Sequence, residues 1–152
     1  MQKNNFAFFG TDSIAIPVLN ELEKAGFVPS VVVCGEDKEK GRGLTLTPPL
    51  AKVWAEQRKI TVLQPKKLDD TFISHLLPFN LEFSVIASYG KIIPESILSL
   101  FPKGILNVHP SLLPKLRGAS PIESTILNEG KAGVNIIKLD LEMDHGPIVV
   151  QK

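Results

Sequence analysis

Gly104-Ile105-Leu106-Asn107-Val108-His109-Pro110-Ser111-Leu112-Leu113-Pro114-Lys115-Leu116-Arg117-Gly118 begins as an apolar run and breaks into a proline-bounded loop. The run reads as a buried strand that ends in Asn107 and His109. Residues two apart on a strand point to the same face. One amide and one imidazole are thus presented together where a parallel strand should end, which is where open α/β sheets bind ligands. Pro110 and Pro114 stiffen the loop, because proline fixes φ and removes a donor.

The rest of the chain repeats the theme of short apolar runs between helical stretches. Strands are expected over 6–10, 28–35, 60–64, 83–89, 105–109, 134–140 and 147–151. Several are β-branched runs without polar alternation, as strands buried on both faces require. Ile14, Val18, Leu19 and Leu22 fall at helical spacing over 14–25, with Gly26 as the stop. Shorter helices are expected over 49–58 and 69–77. Ser120-Pro121-Ile122-Glu123 reads as a capping box opening a helix to about Asn128. Strands alternating with helices predict an α/β fold, a parallel sheet covered on both faces. Residues 36–49 form the one long irregular segment, and such segments are usually functional or mobile.

Composition narrows the function classes. The 152 residues are enough for one domain with a sizeable core, and 43% of them are hydrophobic. Seventeen Lys and Arg against 16 Asp and Glu leave a formal charge of +1, which demands neither a nucleic-acid nor a membrane partner. No apolar stretch approaches the ~20 residues of a membrane span. The single cysteine, Cys34, sits in an apolar run and reads as a small core residue, which suits a reducing cytoplasm. Gly10-Thr11-Asp12-Ser13 follows the first strand without a Gly-x-Gly-x-x-Gly fingerprint, and no phosphate-binding Gly-x-x-x-x-Gly-Lys loop is present. Nicotinamide, flavin and P-loop chemistry are therefore disfavoured. One cysteine and three histidines show no zinc-like spacing, so no metal is expected.

His109 is the histidine with a polar partner two residues away. His145 competes with it but stands in a turn, and His75 reads as a surface residue. The stretch Met143-Asp144-His145-Gly146-Pro147-Ile148 follows a neighbouring strand, so the Asp144 carboxylate can reach the His109 ring and fix its tautomer. An Asn, a His and an Asp together can run acyl transfer without a covalent intermediate. The amide and the imidazolium stabilise an oxyanion, and the carboxylate takes part in proton transfer. Ser111 lacks a nucleophile-elbow setting and reads as a loop hydrogen-bonding residue.

These motifs resemble a known family. Asn107 to Pro114, followed by Arg117-Gly118-Ala119-Ser120-Pro121-Ile122, is similar to the signature of folate-dependent formyltransferases. Asp144-His145-Gly146-Pro147-Ile148 is similar to that family's aspartate loop. The resemblance implies a three-layer Rossmann-like formyltransferase fold with a mostly parallel sheet, and Asn107, His109 and Asp144 as the catalytic set. It implies 10-formyltetrahydrofolate as co-substrate and an amine as acceptor. Ala87-Ser88-Tyr89-Gly90-Lys91-Ile92-Ile93-Pro94 resembles a loop lining the folate pocket, which places Ser88, Tyr89, Gly90, Ile92 and Ile93 there. Ser111, Leu112, Leu113 and Pro114 are carried over as further folate contacts.

Two stretches resemble the branch that formylates methionyl-initiator tRNA. They are Gly10-Thr11 with Pro17-Val18-Leu19, and Lys40-Gly41-Arg42-Gly43-Leu44-Thr45-Leu46-Thr47-Pro48-Pro49. The second implies tRNA contacts from Lys40 and Arg42. Asp12 and Ile14 stand where that branch usually has proline and phenylalanine. The alternatives are formylation of a sugar amine, hydrolysis of formyltetrahydrofolate, or a folate- or tRNA-binding module without turnover. By the resemblance, residues 1–152 form a catalytic domain incomplete at its C-terminus, lacking a further barrel domain for tRNA. The expected enzyme is cytoplasmic and, at full length, a monomer. Loss of a covering helix is expected to leave the last strand apolar and exposed.

Overall fold

The first apolar run forms strand β1 (Phe6–Phe9), with all four residues buried. Its side chains alternate between two cores, as a strand buried on both faces dictates. Phe6 and Phe8 pack in one cluster with Ala15, Leu19, Ala51 and Trp54. Ala7 and Phe9 pack in the other with Phe72, Leu76, Ile97 and Phe101. The structure, a computed structural model, describes residues 5–41, 44–118, 120–128, 130–142 and 144–152, without the side chain of Lys40.

Those contacts define three layers. Helices α1 (Ala15–Lys24) and α2 (Leu50–Gln57) cover one face of the sheet. Helices α3 (Asp70–Leu76) and α4 (Glu95–Leu98) cover the other. Helix α1 stops at Gly26, whose φ of +83° suits glycine, and Phe27 N–H donates to Leu22 O at 2.8 Å. That is the helix-ending motif expected from the glycine. Asp69 caps α3 by accepting from Phe72 N–H at 3.2 Å.

The remaining strands are β2 (Val31–Val33), β3 (Lys38–Lys40), β4 (Thr45–Thr47), β5 (Thr61–Leu63), β6 (Phe83–Ile86), β7 (Ile105–His109), β8 (Asn135–Lys138) and β9 (Ile148–Gln151). The main sheet has the order β5-β2-β1-β6-β7-β8-β9. Its first five strands are parallel. The chain runs outward from β1 to β5 and returns to β6 on the other side. The strand order therefore reverses between β1 and β6, where ligands bind in open sheets.

Some expectations are corrected, and one element is new. The segment 36–49 was expected to be irregular, but within it β3 and β4 pair antiparallel, Lys38 opposite Thr47. The sheet is mostly parallel, as the resemblance implied, but the wholly parallel sheet read from the strand–helix alternation is corrected at β8 and β9, which run antiparallel to their neighbours. Ser120 precedes α5 (Pro121–Leu127) but its side chain makes no capping hydrogen bond. Its backbone, at φ −132° and ψ 55°, departs from the extended geometry that aims a cap inward. The short helix α4 was not expected, because four residues give too little periodicity to read. Strand β9 lies at the sheet edge and exposes Ile148, Val149 and Val150. No helix among the described residues is long and apolar enough to cross a membrane.

Candidate active site

Asn107 and His109 occupy the last turn-ward positions of β7, and the pleat puts them on one face. Asp144 arrives from the β8–β9 connection. Its Oδ1 lies 3.6 Å from His109 Nδ1 and 3.4 Å from Asn107 Nδ2. Its Oδ2 accepts from the backbone N–H of Gly118 at 2.8 Å. His109 is 5% exposed and Asp144 8%. The three residues paired in the sequence reading thus converge, and Gly118, which follows the proline loop, holds the carboxylate in place.

His109 Nε2–H donates to Leu116 O at 2.9 Å. Both ring nitrogens therefore face acceptors. Leu116, Asp144 and Ser88 have φ of +57°, +52° and +51°. Residues in this left-handed region store backbone strain, and such strain gathers at functional sites.

The loop after β7 is tied down from behind. Ser111 Oγ donates to Lys115 O at 3.1 Å. Buried Asn135 donates from Nδ2 to Ser111 O. Gln151 Nε2 donates to Asn135 Oδ1 at 2.8 Å. Asn135 and Gln151 were missed by the sequence reading; an Asn opening a β-branched run was the one available signal. Through them β8 and β9 hold the loop that meets His109.

A cavity of about 510 Å³ opens on this trio, within the usual size for small-molecule sites. Asn107, His109 and Asp144 border it, as do Ser88, Tyr89, Gly90, Ile92 and Ile93 of the β6 exit loop. Tyr89 contributes little side-chain surface, being 5% exposed with its ring edge-on to Phe9 at 5.2 Å. Ser111 and Leu112 do not border this cavity. Leu113 and Pro114 line a separate pocket of about 120 Å³ with Arg117 and His145. The loop turns Ser111 inward, where its Oγ donates to Lys115 O, while Leu113 and Pro114 share their pocket with Asp144. His145 is exposed and lies 3.5 Å from Asp140 Oδ2, and His75 is exposed on α3. Neither reaches the trio. Arg42 lies outside the described residues, as does the side chain of Lys40. No group of three or more metal-ligating side chains occurs among the described residues.

Chemically, the trio offers an amide donor, an imidazole donor and a carboxylate base at one end of a mostly apolar cavity. That set suits attack of a nucleophile on a carbonyl carbon, with the oxyanion held and a proton removed.

A formyl transferase family model matches residues 4–152. The methionyl-tRNA formyltransferase of Thermodesulfovibrio yellowstonii is 44% identical over 147 residues, covering 95% of this chain and 48% of that protein. The methionyl-tRNA formyltransferase of Thermus thermophilus is 43% identical over 144 residues, covering 93% of this chain and 47% of its own. The chain thus spans about half the length of these relatives. Among solved structures, phosphoribosylglycinamide formyltransferase from Bacillus halodurans superposes with a TM-score of 0.78 at 24% identity, covering 97% of this chain and 78% of its own. A formyltetrahydrofolate deformylase from Pseudomonas syringae gives 0.74 at 20% identity, covering 99% and 51%. At these identities the structures bear on the fold alone.

Proposed function

The chain belongs to the formyl transferase family, and from that premise we propose that it carries the catalytic domain of an enzyme moving a formyl group from 10-formyltetrahydrofolate to the amine of methionyl-initiator tRNA. The observation that carries the reading is the convergence of Asn107, His109 and Asp144 on one cavity. The identity of the relatives supports the acceptor.

In this reading the free amine attacks the formyl carbon. The formyl oxygen becomes an oxyanion held by Asn107 Nδ2 and by His109 Nε2–H, which exchanges Leu116 O for the substrate oxygen. The amine nitrogen gives up a proton toward Asp144, a proton reaches the leaving nitrogen of the folate, and the bond between that nitrogen and the formyl carbon breaks. Residues 88–93 border the donor, and the β3–β4 hairpin, with Lys40 and Arg42, meets the acceptor end of the tRNA.

The test is single-turnover formyl transfer with labelled 10-formyltetrahydrofolate, offered methionyl-initiator tRNA, a sugar amine, or water alone. Formylmethionyl-tRNA formed by wild type and lost in His109→Ala supports the reading. Release of free formate, or formylation of the sugar amine alone, would sink it.

A further inference from the structure

The cavity has a second polar wall that the chemistry above leaves unused. Asp12, from the β1–α1 connection, borders it with Ile14. This connection sits at the end of β1, across β6 from Asn107 on β7. It is bound there firmly. Thr11 N–H donates to Ser88 O at 3.0 Å, and Thr11 Oγ1 donates to Tyr89 O at 3.2 Å. The Asp12 carboxylate is itself held twice. Its Oδ1 accepts from Ile14 N–H at 3.0 Å, and its Oδ2 accepts from Ser88 Oγ at 2.6 Å.

Both of those donors are neutral, and Asp12 forms no ion pair among the described residues. The basic side chains bordering the cavity face other partners. Lys91 Nζ donates to the carbonyls of Pro65 and Lys66 at 2.5 and 3.0 Å. His109 faces Asp144 and Leu116. Glu123, Asp140 and Glu142 add further carboxylates to the same lining. Five carboxylates, those of Asp12, Glu123, Asp140, Glu142 and Asp144, thus share the lining with Lys91 and His109, with Asp12 at the switch point of the sheet, and a cleft in which carboxylates are in excess draws cations.

We propose that Asp12 is a specificity-determining residue for the acceptor: its carboxylate receives the ammonium form of a primary amine and selects it over neutral and anionic groups. The proposal rests on the formyl-transfer reading for the role of that amine, but the binding it describes stands apart from turnover. An acceptor whose amine is cationic while the rest of the molecule is anionic would enter this mouth amine first.

The test compares L-methioninamide with its uncharged deamino counterpart, 4-(methylthio)butanamide. Binding is followed by NMR titration near pH 6, where an α-amine is charged. The wild-type chain should favour the amine by about tenfold, the order of a hydrogen bond to a charged group. Asp12→Asn, nearly isosteric, should abolish the difference, and Asp12→Glu should restore part of it. Affinity for a formyl-folate analogue and the melting temperature should stay near wild type in Asp12→Asn. In turnover with methionyl-tRNA the same variant should raise the acceptor KM about tenfold with a far smaller change in kcat. A wild-type chain without the amine preference, or a preference that survives in Asp12→Asn, overturns the proposal. So does a preference lost together with folate-analogue affinity and stability, because Asp12 would then only brace its loop. A chain that shows the preference and its loss but never formylates an amine refutes the formyl-transfer reading and leaves the Asp12 assignment intact.

Discussion

Asp144 Oδ1 stands 3.6 Å from His109 Nδ1 while Asp144 Oδ2 is anchored 2.8 Å from Gly118 N–H. The carboxylate therefore does two things: it orients a ring that sits under a tenth exposed, and it ties the β8–β9 connection to the end of the proline loop. Because ring and carboxylate act as one unit, their removals should not add. His109→Ala is expected to lower single-turnover formyl transfer by about 10²–10³. Asp144→Asn should fall comparably, and the double variant little below the worse single. Rates that multiply across the pair would show that the two work independently.

The base of the hairpin is set by charge. Lys52 Nζ donates to both Asp37 oxygens at 2.9 and 2.8 Å, and Gln64 Nε2 donates to Asp37 Oδ1 at 2.8 Å. The bond from Lys52, then that from Gln64, holds the Asp37 carboxyl below its usual range, and the same bond from Asp37 raises Lys52. A folded pKa below the unfolded one means that the unfolded chain binds the extra proton. Asp37 therefore stabilises the fold above the ordinary aspartate value of about 3.9, and that stabilisation is lost as pH falls through the folded value. Asp37→Asn should lower the urea midpoint at neutral pH, and the gap to wild type should narrow as pH falls below about 3.9 and through the folded value. A gap that persists in acid would assign the loss to packing.

How much of this was legible from the residues follows the physics of each element. Strand β7 and its Asn107–His109 pair were readable because an apolar run fixes a strand and the pleat fixes the face. The antiparallel direction of β8 and β9 was not, since a β-branched run reads the same both ways. Direction came from tertiary ties: Asn135, bound to Ser111 and Gln151, makes the chain re-enter the sheet at the end it left. The connection 139–147 is then shorter than the dozen or so residues a parallel crossover needs. The hairpin was hidden because Lys38-Glu39-Lys40 carries no apolar alternation. Asp144 could be proposed from its place after a strand, but its anchor on Gly118 N–H could not, since backbone donors leave no mark in a sequence.

Cys34 is fully buried, and burial pushes its thiol up to about 11. A thiol raised in the folded state keeps its proton where the unfolded chain ionises, so its contribution to stability is intact below about pH 8.5 and is lost progressively above that. Only the thiolate is nucleophilic. Iodoacetamide should therefore label Cys34 in the native chain at the rate set by opening, and urea should accelerate labelling as it populates the unfolded state. Rapid labelling in native buffer would show that the β2 end of the core is open.

Tyr89 buries its hydroxyl without a hydrogen-bond partner among the described residues, and burial raises its pKa. Such a group loses its water and regains nothing, at about 1–3 kcal/mol. Its ring stays useful against Phe9. Tyr89→Phe should thus raise the urea midpoint by the equivalent of about 1 kcal/mol and leave formyl-folate analogue affinity unchanged. A loss of analogue affinity would instead place the hydroxyl in the binding of the donor.

Gly146 is where packing and chemistry meet. A Cβ added there would run into the carbonyl oxygen of Lys138 and lie 3.5 Å from Asp140 N. The first of these neighbours is backbone at the end of β8, which cannot swing aside as a side chain would. The β8–β9 connection must then move, and Asp144 moves with it. Overpacking of this kind costs about 1–3 kcal/mol, and a misplacement of about 1 Å at a catalytic group can lower a rate about 10²-fold. Gly146→Ala should therefore show both losses: a lower melting temperature, and a formyl-transfer rate reduced far beyond the fraction unfolded at the assay temperature. Because Asp144 also accepts from Gly118 N–H, hydrogen exchange at Gly118 should quicken in the same variant. A stability loss with wild-type kcat and unchanged exchange at Gly118 would mean that the connection yields at 145–147 and leaves Asp144 in place.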